Sequence, residues 1–124
     1  MPEFKLVQDD RKKAGKTMAV SLNSNLGRLL LYRLAYLELE DRRGGPVEFA
    51  QLFTAPDEPK KFWIKPCKAD DPGAKHVLTT ANTRTISAKK LISELKFQAE
   101  KTLQFPATWN REHKMLEVDI SKPL

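Results

Sequence analysis

The chain of 124 residues contains one cysteine, Cys67, and two histidines, His76 and His113. A single thiol excludes an internal disulfide, and three soft ligands are too few for a closed zinc site. No run of about 18 apolar residues occurs, and Met1-Pro2-Glu3-Phe4-Lys5 lacks an apolar signal core. No membrane span and no secretion are expected, and a cytoplasmic address follows. Paired carboxylates, metal-ligand spacing and a Ser/His/Asp set are also missing, so neither an enzyme nor a cofactor is expected. Gly15-Lys16-Thr17 ends like a phosphate-binding loop, but Asp10 stands where its first glycine must be, and a carboxylate there repels phosphate. Cys67 as a nucleophile would need a base such as His76 and an oxyanion donor. It reads as an incidental loop thiol, and His113 as a solvated turn histidine.

What is present is enough for a core. Hydrophobic residues make up 40% and charged residues 31% of the chain, which fits one globular domain or two small halves around a shared interior. Lys and Arg number 22 against 16 Asp and Glu, a net +6, and each half of the chain on either side of Pro66 carries +3. That field speeds encounter with polyanions and says nothing about fold.

Residues 1–17 hold Asp9-Asp10-Arg11-Lys12-Lys13-Ala14-Gly15-Lys16 and read as an edge strand followed by a basic arm. Met18 to Leu22 reads as a strand and Asn23-Ser24-Asn25 as a turn, since short amide and hydroxyl side chains mimic backbone in turns. Gly27-Arg28-Leu29-Leu30-Leu31 is a second strand, and Leu34 to Leu39 a helix stopped by Gly44-Gly45-Pro46. Val47, Phe49, Gln51 and Phe53 alternate as an inward face; Ala55-Pro56-Asp57-Glu58-Pro59 turns, and Lys61 to Lys65 returns. After a polar linker over 67–75 the layout recurs: Val77 to Thr79, a turn at 80–83, Arg84 to Ile86, a helix from Ala88 to about Phe97 capped by Ser87, then Leu103 to Trp109, a turn, and Met115 to Ile120.

A shift of 56 residues brings Leu22 onto Leu78, Arg28 onto Arg84, Leu30 onto Ile86, Arg33 onto Lys89, Phe49 onto Phe105, Phe53 onto Trp109 and Phe62 onto Val118. A fixed internal period points to duplicated units. Units of about 45 residues are too small for separate cores. The expected fold is therefore α+β and mostly β, with pseudo-symmetric strand-helix-hairpin units at 18–66 and 76–120 sharing one small barrel.

Gly27-Arg28-Leu29-Leu30-Leu31, the helix over Leu34 to Leu39 and the hairpin from Val47 to Ile64 together resemble the AbrB-type swapped-hairpin family, and the duplication resembles its MraZ-like tandem members. The resemblance implies two hairpin units interleaved into one barrel. The layout is also similar to small uncharacterised bacterial proteins, for which it implies no activity.

Two functional classes are expected. In the first, Arg28, Arg33, Arg84 and Lys89 recur as paired basic clusters on one face and contact the phosphates of duplex DNA, with Lys12, Lys13 and Lys16 adding contacts from the arm; such a protein would regulate transcription. The alternative is a protein-interaction module or homodimer joined through an exposed Trp63 and open strand edges. Trp63 falls on the face opposite Phe62 and Ile64, whereas Phe49, Phe53, Phe62 and Phe105 read as core. Interleaving of the aromatics with basic residues would suit base stacking, but their alternation favours packing.

Overall fold

Short apolar alternations separated by turns give a mostly β protein with two helices. The computed structural model describes residues 18–80 and 83–124. The basic arm with Lys12, Lys13 and Lys16, and the turn residues 81–82, lie outside the described residues. In chain order the elements are β1 (Ala19–Asn23), β2 (Arg28–Leu31), α1 (Arg33–Arg43), β3 (Phe49–Thr54), β4 (Lys61–Cys67), β5 (Lys75–Thr80), β6 (Thr83–Ser87), α2 (Lys89–Glu94), β7 (Leu103–Asn110) and β8 (Met115–Asp119). The order strand, strand, helix, strand, strand thus occurs twice.

The eight strands close into one antiparallel barrel in the order β1-β2-β6-β5-β3-β4-β8-β7. Consecutive strands form the hairpins β1–β2, β3–β4, β5–β6 and β7–β8. Four further seams, β1–β7, β2–β6, β3–β5 and β4–β8, join the first half of the chain to the second. Closure removes free strand edges from the described barrel, so the open edges expected for a homodimer are not there.

Residues from both helices and from all eight strands meet in one core that includes Val20, Leu22, Leu29, Phe62, Ile64, Phe105, Leu116 and Val118. α1 contributes Ala35, Tyr36 and Leu39, and packs against β1, β4 and β6. It ends as expected at Gly44, which adopts φ 84° while its N–H and that of Gly45 both donate to the Glu40 carbonyl. α2 is shorter than expected. Ser87 does not cap it, because β6 runs through Ser87 and Ala88 holds the cap position.

Two face assignments need correction. Cross-strand partners point the same way, and β3 pairs Leu52 with Ile64 and Thr54 with Phe62. Because Phe62 and Ile64 enter the core, β3 sends in fully buried Ala50, together with Leu52, and turns Phe49 and Phe53 outward. Phe53 is 38% exposed, and Phe49 packs against His76 with the rings tilted by 51° and their centroids 5.3 Å apart. Trp63 does lie outside the core cluster, as expected, but it is only 6% exposed: its neighbours are Phe53 and Glu117, and its Nε1 donates to Glu117 Oε1 at 3.0 Å. An exposed interface tryptophan is not what the fold provides at that position.

Candidate nucleic-acid interface

Arg28 and Arg84, expected as a matched basic pair on one face, point to opposite sides of the barrel wall. β2 and β6 pair Arg28 with Ser87 and Leu31 with Arg84. Alternate residues point to opposite sides of a sheet, so Arg28 takes the exposed side with Ser87 and Arg84 the inner side with buried Leu31. Arg84 is half-buried. Its guanidinium lies 4.0 Å from the centre of the Tyr36 ring, and its stem borders a small crevice with Leu39 and Val77. That is a packing role between barrel and helix. Arg33 is exposed at the start of α1. Lys89 is exposed at its tip but lies across Gly27, where an added Cβ would run into Lys89 Cγ.

Cys67 closes β4 and is buried, rather than sitting in a loop. Burial pushes its thiol pKa up, and the nearby Asp71 carboxylate adds to the rise. Phe49 of β3 stands between Cys67 and His76 in the cross-strand row. Two strand spacings, about 9.6 Å, separate thiol and imidazole strands. No Cys/His pair is assembled.

A different set of residues converges. The C-terminal end of α1, the end of β4 and the β7–β8 turn surround a groove of about 550 Å³ lined by Arg42, Arg43, Lys65, Pro66, Trp109, Arg111 and Lys114. Five of the seven are cationic and none is acidic. Arg42 is held from two sides: its Nε donates to Glu38 Oε1 at 2.9 Å, one helical turn earlier, and its guanidinium carbon lies 5.2 Å from the centre of the Trp109 ring. Arg43 donates from Nε to the Pro46 carbonyl at 3.2 Å and from Nη1 to the Cys67 carbonyl at 3.5 Å, fixing the helix end to β4. Both arginines also oppose the negative end of the α1 dipole, so part of their purpose is structural. Lys65, Arg111 and Lys114 are exposed and form no ion pair with another described residue.

The turn that carries two of these cations is shaped by side-chain and backbone constraints together. Asn110 Oδ1 accepts from the His113 N–H at 3.0 Å, and Lys114 adopts φ 55°, a left-handed conformation that costs a residue with a Cβ. Trp109, the last aromatic of β7, is half-buried and backed by the core, so one side of the indole is fixed while it borders the groove. In the sequence the alternation of the aromatics, Trp109 among them, favours packing, and the groove cations do not stand out. Their positions run from 42 to 114 with no common spacing. The available signals were a basic pair just before the helix stop at Gly44 and two basic residues in a hairpin turn.

Among the described residues no helix is long and apolar enough to cross a membrane, and no group of three or more His, Cys, Asp and Glu is placed to hold a metal ion. In comparisons with known proteins, no family model, no curated protein and no solved structure matches the chain.

Proposed function

We propose that this protein binds nucleic acid, and that the phosphates lie along the groove between α1, β4 and the β7–β8 turn rather than on Arg28, Arg33, Arg84 and Lys89. The single observation that carries this reading is the convergence of five cations, with no carboxylate among them, on one concavity that also presents an indole. Arg42 is already paired with Glu38, but Arg43, Lys65, Arg111 and Lys114 have no ion-pair partner among the described residues; like charges gathered in this way repel, and a polyanion supplies the missing counter-ion while releasing its own condensed cations. The protein-interaction alternative has less support, since Trp63 is buried and the barrel has no open edge among its described strands.

The same proposal treats the two halves as copies of one swapped-hairpin unit, in keeping with the AbrB-type resemblance. Exchanging β1 to β4 with β5 to β8 leaves the set of strand pairs unchanged. A gapless shift of 56 residues does not describe the relation, because it sets fully buried Leu22 against Leu78, which is 52% exposed. Matching core residues instead sets Leu22 with Val77, Leu29 with Ile86, Phe62 with Leu116 and Ile64 with Val118.

Fluorescence anisotropy of labelled single-stranded and duplex oligonucleotides tests the function. For about three phosphate contacts, affinity is expected to fall roughly 20- to 40-fold between about 50 and 200 mM salt. The variant K65Q/R111Q/K114Q should lose most of the binding, whereas R28Q/R33Q should retain it. Salt-independent binding, or undiminished binding by the triple variant, would overturn the reading.

A further inference from the structure

Resting on that reading, we infer that the occupant of the groove is a single strand with an unpaired base stacked on the Arg42 guanidinium, which lies over the core-backed Trp109 ring. A duplex is read by a helix or ribbon that protrudes into a groove about 12 Å wide, and the cations here line a concavity instead. Bases inside a duplex are covered above and below by their neighbours, so none can reach an aromatic surface set into the protein without being extruded. An unpaired base has a free face.

Chemistry at the site points the same way. Trp109 cannot turn away from the groove freely, because the core backs it. Arg42 lies over its ring and is anchored through Nε by Glu38. Guanidinium and indole planes are both among the side-chain surfaces on which unpaired bases stack. Lys65, Arg111 and Lys114 supply charge around this platform without a carboxylate in the lining. A single stacking platform ringed by cations tolerates any base, because every base has a π-face. The ligand class is therefore single-stranded nucleic acid held by backbone and stacking, with little sequence preference.

The test uses the full chain and three probes of equal length: oligodeoxythymidylate, an abasic single strand, and a duplex. Trp63→Phe leaves Trp109 as the only indole, and its fluorescence is expected to quench on addition of oligodeoxythymidylate. Oligodeoxythymidylate should bind about tenfold more tightly than the abasic strand, and Trp109→Leu, which keeps an apolar residue against the core, should remove that advantage. The slope of log affinity against log salt should lie near −2 for three contacts on a single strand. Equal binding of the abasic and thymidine strands, or a duplex that binds as tightly as the single strand, would overturn the stacking inference and leave phosphate binding in the groove intact. Failure of all three probes to bind at low salt would overturn both. If Trp109→Leu fails to fold, the quenching and abasic comparisons still decide.

Discussion

At the scale of single residues, Gly27 shows how one position joins backbone, packing and surface charge. It ends the β1–β2 turn at φ 63°, and its carbonyl accepts from the Ala88 N–H at 2.8 Å. Gly27→Ala places a Cβ in a left-handed conformation and against the Lys89 stem. A loss of about 1–2 kcal/mol is expected, seen as a lower urea midpoint with an unchanged slope; an unchanged midpoint would refute the account. Glu117 is the corresponding electrostatic position. Burial alone would raise its pKa, but hydrogen bonds from Trp63 and Asn110, with the Lys61 charge, outweigh burial and hold it below the ordinary value. The unfolded chain therefore binds this proton more readily than the folded one. The stabilisation from Glu117 is complete above the unfolded pKa, about 4.3, and is lost as pH falls through the lower folded value. Asp119, lowered by its hydrogen bonds from Ser121, acts in the same direction. Glu117→Gln should lower neutral-pH stability by about 1 kcal/mol and flatten the acid limb of a stability–pH profile; an acid limb as steep as wild type would exclude Glu117 as a source.

At the scale of elements, the seams of the barrel are unequal. β1 and β7 share four register pairs, from Ala19–Pro106 to Leu22–Leu103, whereas β3 and β5 share only Phe49–His76 and Ala50–Lys75, with one further bond from the Val77 N–H to the Glu48 carbonyl. Side chains add a tie at the weaker seam, with Gln51 Nε2 donating to the Pro72 carbonyl at 2.7 Å. Amide exchange should release Val77 before the β1 amides that face β7. Simultaneous release would mean that the barrel opens only as a whole. Element positions were largely legible: Gly44 stops α1, and the Ala55 to Pro59 turn separates β3 from β4. Faces were less so. The alternation in β3 is satisfied by either face, since Phe49 and Phe53 occupy one and Ala50 and Leu52 the other. The choice falls to β4, whose Phe62 and Ile64 already fill the interior and leave room for Ala50. The site was least legible, because Arg42, Lys65, Trp109 and Arg111 meet only through closure of the barrel.

At the scale of the whole molecule, charge and topology divide their duties. The net +6 is spread along the sequence, yet the fold concentrates five positive groups around one concavity and sends Arg84 to pack on Tyr36. Counting basic residues therefore gave the class of partner proposed here without giving its seat. The cross-half seams have another outcome. Because β1, β2, β3 and β4 each find a partner beyond the loop between Cys67 and Lys75, proteolytic nicking of that loop leaves two fragments still clasped by four ladders. Either fragment made alone would present the unsatisfied amides and carbonyls of four strands, so co-expression, not sequential rescue, is the route by which such a severed protein would reassemble.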